Sequence, residues 1–125
     1  MATPPLLVLG NVNLELILGT LDKWPDFESE TIMSTSNLRA GGAAGNTALA
    51  LSGLSVEHRL IAAIGNDGLG NWLKNEFQPS TTTWSVVPAA TAVSVSVLHD
   101  DGRVFLTSEG HLAAATVDTM LDGIP

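Results

Sequence analysis

Short apolar segments that end at a glycine alternate with amphipathic segments in the first two thirds of the chain. Leu6–Leu9 is a continuous apolar run that stops at Gly10, which is typical of a strand that is buried on both faces of a parallel sheet. Residues 59–64 form the next predicted strand, which closes on Gly65. Between them lies an Ala- and Leu-rich segment, residues 43–51, which ends near Gly53 and predicts a helix with a glycine C-cap.

A second helix is predicted after Gly65. Asp67 is suited to cap its first turn, and four apolar residues then fall on one helical face: Leu69, Trp72, Leu73 and Phe77. A polar loop at 80–84, a short strand at 85–87 and the first turns of a helix at 116–121 complete this part. The order strand, helix, strand, helix predicts an α/β sheet with right-handed crossovers.

Four polar strand-like segments, at 14–20, 31–39, 92–99 and 103–107, do not fit inside that core. The last two flank Asp100-Asp101-Gly102, and in the first of this pair valines at 93, 95 and 97 alternate with Ser94, Ser96 and Leu98. Alternation around a glycine turn predicts a β-hairpin. We therefore expect a separate small sheet over one edge of the core.

Composition and charge narrow the class of protein. The 125 residues suffice for one domain with a core, and 45% apolar with 14% charged residues is a globular composition. Five basic against 13 acidic residues, a net charge of -8, argue against a nucleic-acid partner or an anionic membrane surface. The absence of cysteine excludes disulfides, zinc-thiolate sites and thiol catalysis.

The beginning of the chain bears on location. Residues 1–5 lack the basic segment of a signal peptide, and no apolar run approaches the roughly 18 residues that a membrane helix needs. We therefore expect a cytoplasmic protein with no membrane partner.

Glycine and polar side chains are concentrated at three predicted strand ends, in residues 10–15, 41–46 and 65–68. Ligands of open α/β sheets bind beyond the carboxyl ends of the strands. Gly41 and Gly42 allow close approach of a ligand to the backbone, and the helix that starts near Ala43 is expected to point free N–H groups at the same place.

Side chains suited to a polyhydroxyl ligand accompany these glycines. Asn13 and Glu15 share one face of an extended segment, and Asn46 lies one turn into the helix. A carboxylate that accepts two hydroxyl groups holds a polyol through charge-assisted hydrogen bonds. Each feature alone also has a structural interpretation: a Gly-Gly turn, a solvated carboxylate at Glu15, and a helix cap at Asp67.

The three histidines, His58, His99 and His111, are scattered without the spacing of metal ligands, and we interpret them as surface residues. The motifs assign no metal site and no catalytic residue.

In their order and spacing, these segments resemble the PfkB family of kinases, which includes ribokinase, fructokinase and adenosine kinase. Residues 10–15 are similar to the family's opening strand and substrate loop, with Glu15 where Asp is usual. Residues 40–48 are similar to its signature Gly-Gly-x-x-x-Asn-x-Ala, and residues 64–70 to its Gly-x-Asp-x-x-Gly element. Thr91 and Asp101-Gly102 match its hairpin strand and turn.

The resemblance implies an α/β fold in which an incomplete, ribokinase-like Rossmann-type core carries a small β-sheet lid. Residues 1–125 would be the N-terminal part of a single kinase domain, with lid strands at about 13–20, 31–39, 91–99 and 103–108. It further implies a sugar pocket lined by Asn13, Glu15, Gly41, Gly42 and Asn46. Glu109 or His111 would approach the pocket's edge, and the lid would form a homodimer contact.

The function that the resemblance implies is the sugar-binding portion of an ATP-dependent carbohydrate or nucleoside kinase. The complete enzyme is expected to use ATP and Mg, but the family's later Asp-Thr-x-Gly-Ala-Gly-Asp motif, which supplies the catalytic base, has no counterpart after Gly110. We expect this chain alone to be inactive. The alternative is a non-catalytic sugar-binding or dimerisation module. The absence of Arg and Lys from the pocket motifs favours a neutral, unphosphorylated substrate.

Overall fold

A computed structural model describes residues 3–122 and Ile124. Met1, Ala2, Gly123 and Pro125, at the two ends of the predicted domain, lie outside the described residues. The strands are β1 (Leu6–Leu9), β2 (Asn13–Leu21), β3 (Thr35–Gly41), β4 (His58–Gly65), β5 (Thr82–Val87), β6 (Val93–His99) and β7 (Gly102–Ser108). The α-helices are α1 (Ala43–Gly53), α2 (Gly68–Lys74) and α3 (Val117–Leu121), with short 3₁₀ helices at Pro79–Thr81 and Gly110–Ala113.

A three-stranded parallel sheet in the order β1-β4-β5 forms the core. The central strand β4 is buried on both faces because helices pack on each side. Leu60, Ala62 and Ile64 contact residues of α1 and α2, while Ile61 and Ala63 pack with Met120 of α3. Burial of these side chains is the main favourable term in the stability of this part.

The prediction that β1 is also buried on both faces is wrong. Leu6, Leu7 and Leu9 are 55%, 65% and 42% exposed. The strand lies at the edge of the sheet and pairs with β4 alone. An apolar run identifies a strand but does not distinguish a central strand from an edge strand.

The four polar strands form the predicted second sheet, in the order β3-β2-β6-β7. β2 pairs antiparallel with β3 and parallel with β6, and β6 and β7 form the hairpin. Several strand boundaries differ from the prediction. β3 starts at Thr35 rather than 31 and continues through Gly41, and β6 starts at Val93 rather than 91. In the core, β5 starts at Thr82, inside the predicted polar loop.

Two of the three histidines are not surface residues. His58 is 6% exposed and His111 is fully buried. The Nδ1 atom of His111 accepts a hydrogen bond from the Ala92 amide at 2.9 Å, so its Nε2 must donate to the Val12 carbonyl at 3.0 Å. Val12 precedes β2 and Ala92 precedes β6. His111 therefore holds together the two chain segments that enter the second sheet from the core.

The helices of the described residues were searched for a membrane span, and none is long and apolar enough to be one.

Candidate functional site

The predicted sugar-binding residues meet where β2, β3 and the start of α1 come together. In the β2–β3 register, Asn13 lies opposite Gly41 and Glu15 lies opposite Arg39. A Cβ atom at position 41 would be 3.1 Å from Glu15 Oε2 and 3.2 Å from Asn13 Oδ1. Glycine at this position therefore leaves the space into which both side chains extend.

Arg39 connects Glu15 on the second sheet to Asn46 on α1. Its Nη2 donates to Asn46 Oδ1 at 2.9 Å, and its Nε lies 3.6 Å from Glu15 Oε2. Because both side chains approach one guanidinium group, they lie on the same side of the molecule. The structure thus brings together all five residues that the sequence singled out, although their role in binding stays a prediction.

Sequence reasoning missed Arg39, because it lies just before residues 40–48, a motif that contains no Arg or Lys. The residue is two positions before Gly41 on an extended strand, so the two share one face of the sheet. A predicted strand that continued to Gly41 would have placed Arg39 on the face of Gly41, but not opposite Glu15. The segment was instead expected to end at 39, which separated Arg39 from the glycines.

A buried polar atom in this group has no partner among the described residues. Asn13 Oδ1 is fully shielded from solvent and accepts no hydrogen bond, and Ser96 Oγ, on β6, is in the same state. Buried acceptors are normally satisfied, because leaving one unpaired costs about 1–3 kcal/mol.

A row of four polar side chains crosses the second sheet on the face that carries Glu15. Arg39, Glu15, Ser94 and Thr107 are successive partners on β3, β2, β6 and β7. Ser94 Oγ and Thr107 Oγ1 lie 2.8 Å apart. Ser94 and Thr107 extend the candidate site beyond the predicted residues. The alternation of serine and valine in β6 was visible in the sequence, but not which face would meet Glu15.

The start of α1 differs from the expectation in one respect. The amides of Ala44 and Gly45 donate to the Asn11 carbonyl at 3.1 and 3.3 Å, so these two N–H groups are not free for a ligand. Gly42 has a φ of 87°, and a Cβ there would collide with the same carbonyl. Because residues 11 and 42 lie so close together, the Asn11 carbonyl accepts from two helix N–H groups that the sequence analysis expected to be free for a ligand.

Asp67 is the predicted helix cap and also a link to the second sheet. Its carboxylate accepts from the Gly70 amide at 2.8 Å, and from the amide and hydroxyl of Thr91 at 2.9 and 2.6 Å. The Thr91 side-chain bond is the main cause that lowers the pKa of Asp67. Burial lowers the pKa of His111. His111 adjoins the site through Val12, the neighbour of Asn13, whereas Glu109 is exposed and its role stays a prediction.

The sequence assigns no metal ligand among the residues of this site. The described part of the chain contains no group of three or more His, Asp or Glu side chains that could hold a metal ion. The expectation of ATP and Mg concerns the complete enzyme.

The chain is similar in sequence and in fold to known kinases. No protein-family model matches the sequence. The chain is 30% identical over 99 residues to an ATP-dependent ribose-1-phosphate kinase of Halopiger xanaduensis, covering 76% of this chain and 33% of that relative. Ribokinase of Giardia lamblia superposes with a TM-score of 0.74 at 18% identity, covering 86% of this chain and 36% of that one. The resemblance to PfkB/ribokinase-type kinases is confirmed.

Other ribokinase-type structures agree on the fold. Arabidopsis thaliana ribokinase complexed with ribose and ATP gives a TM-score of 0.70 at 21% identity, covering 87% of this chain and 37% of that one. The predicted α/β core with a small second sheet is therefore the ribokinase fold. The chain spans about a third of the length of the ribokinase-type relatives it matches.

Proposed function

We propose that this chain is the N-terminal, sugar-binding part of an ATP-dependent kinase that phosphorylates a hydroxyl group of a sugar or nucleoside. The observation that carries the proposal is the meeting of Asn13, Glu15 and Asn46 around Gly41, at the junction of the core and the second sheet. The proposal is supported by the similarity of the chain to an ATP-dependent ribose-1-phosphate kinase, and of its fold to a ribokinase complexed with ribose and ATP.

Each side chain of the site has a distinct task in the proposed function. The Glu15 carboxylate accepts hydrogen bonds from substrate hydroxyls, and the unpaired Asn13 Oδ1 accepts one more. Asn46 keeps its amide NH₂ for donation, because its Oδ1 is bonded to Arg39. Together these groups fix the orientation of the sugar, and correct orientation supplies much of the rate of a bimolecular transfer.

The rest of the reaction requires groups that this set of residues does not supply. ATP would provide the phosphoryl group in the complete enzyme, and Mg would neutralise its charge. The general base that accepts the hydroxyl proton is assigned to none of the residues above. We therefore propose that the 125-residue chain binds substrate but does not turn it over.

Binding and turnover should be measured separately on two proteins. One is the 125-residue chain, and the other is the longest protein that its reading frame encodes. Calorimetric titration against ribose, fructose and adenosine should give binding to both. Phosphorylation with ATP and Mg should occur with the longer protein alone, provided that it contains a downstream Gly-Ala-Gly-Asp segment. Turnover by the 125-residue chain, or no carbohydrate or nucleoside binding by either protein, would contradict the proposal.

The alternative, a non-catalytic sugar-binding or dimerisation module, is favoured by the other face of the second sheet. A row of apolar partners crosses all four strands there: Leu38, Leu16, Val95 and Leu106. Leu38 and Leu106, at its two ends, are 40% and 54% exposed. We propose a homodimer through this face. A reading frame that stops at Pro125, with a dimer in sedimentation analysis and no turnover, would favour the module over the kinase.

We propose a cytoplasmic location as well, because the proposed donor ATP is available there. A fluorescent-protein fusion that accumulates in another compartment would contradict this.

A further inference from the structure

Arg39 supplies a positive charge to a site whose other charged member is the Glu15 carboxylate. The chain has five basic residues against 13 acidic ones, so a cation in the candidate site is opposite in sign to the net charge of the chain. Without Arg39, the carboxylate would repel a negatively charged ligand. With it, the pair is neutral as a whole, so the guanidinium group can attract an anionic substituent while the carboxylate accepts from hydroxyl groups.

The guanidinium group of Arg39 is only partly engaged. Its Nε faces the Ala40 carbonyl at 3.3 Å and Glu15 Oε2 at 3.6 Å, which is longer than an ordinary hydrogen bond. Nη2 makes the single short contact, 2.9 Å to Asn46 Oδ1. Within the part of the chain that is described, Nη1 has no hydrogen-bond partner, and 47% of the side chain is exposed. An arginine has five N–H donors in a planar fork, so donors remain for a ligand.

The chemistry of the free donors suggests what they would bind. Two adjacent guanidinium N–H groups match two oxygens of a phosphate or carboxylate, and a neutral hydroxyl cannot use both. We propose that Arg39 is the specificity-determining residue of this site, and that it selects a sugar carrying an anionic substituent whose hydroxyls are held by Glu15 and Asn13. The inference rests on the proposed function, whose substrate class it narrows.

A competing role must be separated from this one. Arg39 could act as a positioning residue that fixes Glu15 and Asn46 for a neutral sugar. In that case the loss of Arg39 would lower the affinity for every ligand by the same factor, because every ligand binds to the same two oriented side chains. A specificity residue instead changes the ratio between an anionic sugar and its neutral counterpart, because its contact exists with the anionic ligand alone.

The test is calorimetric titration of the longest protein that the reading frame encodes. The probes are ribose, ribose 1-phosphate, ribose 5-phosphate and ribonate, so that phosphate at either end of the sugar and a carboxylate are distinguished. We expect at least one anionic probe to bind about tenfold or more tightly than ribose. Arg39→Gln should weaken that probe roughly 10- to 100-fold and ribose by less than about threefold. Arg39→Lys should restore part of the loss, because it keeps the charge without the fork.

Arg59→Gln is the matched control. Arg59 is exposed near the start of β4, at the opposite end of the strand from Gly65, and donates to Thr83. Its loss removes the same charge and should leave the ratio of affinities unchanged. An equal change at Arg59 would show a non-specific charge effect and overturn the proposal.

Selection of an anionic sugar and binding of any sugar can fail independently in this experiment. If ribose binds but no anionic probe binds more tightly, the selection of an anionic sugar is wrong while sugar binding stands. If Arg39→Gln weakens ribose and the anionic probes equally, Arg39 is a positioning residue and the proposal is overturned. If none of the probes binds and the protein phosphorylates no sugar or nucleoside, the proposed function itself fails. Thermal unfolding of each variant verifies that the loss is not one of folding.

Discussion

The Glu15 carboxylate is the acidic group nearest to Gly41, and 18% of its side chain is exposed. Glu15→Gln keeps the shape of the side chain and removes its charge. Because charge-assisted hydrogen bonds are worth about 1.5–3 kcal/mol, we expect the affinity for the preferred sugar to fall roughly 10- to 100-fold in calorimetric titration. Glu57→Gln, at an exposed residue before β4, is the control and should leave affinity unchanged. Equal affinities for wild type and Glu15→Gln would remove this carboxylate from the site.

His111 makes the stability of the fold depend on pH. Burial is the largest cause that lowers its pKa, and the proton on Nε2 already serves the Val12 carbonyl. Protonation of Nδ1 would break the bond from the Ala92 amide. The folded-state pKa lies below the ordinary value of 6.5, so the unfolded chain takes up a proton first as the pH falls. The stabilisation is therefore complete above pH 6.5 and is lost as the pH falls through the folded-state pKa.

Urea unfolding should show this dependence directly. We expect the free energy of unfolding to decrease between pH 7.5 and 5.5 in the wild type. His111→Gln should cost about 1–3 kcal/mol at pH 7.5, through the loss of buried hydrogen bonds, and should flatten the dependence in this range. A slope that survives in His111→Gln would mean that other groups cause it.

At the scale of elements, the junction between β3 and α1 depends on Gly42. A Cβ there would lie 2.9 Å from the Asn11 carbonyl carbon and 3.0 Å from Val12 Cα, in a backbone conformation with positive φ. We expect Gly42→Ala to destabilise the fold by at least about 2 kcal/mol and to displace α1, and with it Asn46, from the site. Chemical denaturation and sugar affinity would both report the change.

Gly53→Ala gives the matched comparison. Gly53 is the last residue of the same helix, and an added Cβ would meet nothing within 4 Å. Since alanine favours helices over glycine, this variant should gain about 0.5–1 kcal/mol. If the two variants had the same stability, crowding at Gly42 would not be the determinant of the junction.

The same elements show how far sequence reasoning reaches. Helix α1, strand β4 and the β6–β7 hairpin follow from local patterns, and so do Asn13 and Glu15 on one face of β2. The placement of Arg39 opposite Glu15 does not, because strand register is a tertiary property that no local pattern of β3 encodes. The burial of His111 likewise depends on two distant carbonyl and amide partners.

The different exposure of β1 and β4 has the same origin. Both are short apolar runs that stop at a glycine, yet helices cover both faces of β4, while β1 stays at the edge of the sheet. Which of two similar strands is central is decided by chain topology. Composition predicts that the chain has an apolar core, and packing determines which apolar side chains are buried in it.

At the scale of the whole molecule, two separate apolar surfaces compete for partners. One is the β1 edge, with Leu6, Leu7 and Leu9 exposed, and the other is the apolar face of the second sheet that contains Leu38 and Leu106. An unpaired apolar edge strand is prone to pair with another chain. We expect the isolated 125-residue chain to self-associate through β1 and to bind a hydrophobic dye such as ANS.

Two variants separate these surfaces. Leu7→Lys places a charge on the exposed edge and should reduce association of the 125-residue chain in sedimentation analysis, because charged edge strands resist pairing. Leu106→Lys should leave that association intact, and should instead weaken a dimer of the longest protein that the reading frame encodes, if the second sheet forms its interface. If Leu106→Lys dispersed the 125-residue chain and Leu7→Lys did not, the second sheet would be the dominant contact, and the edge of β1 would be sufficiently protected by its own short length.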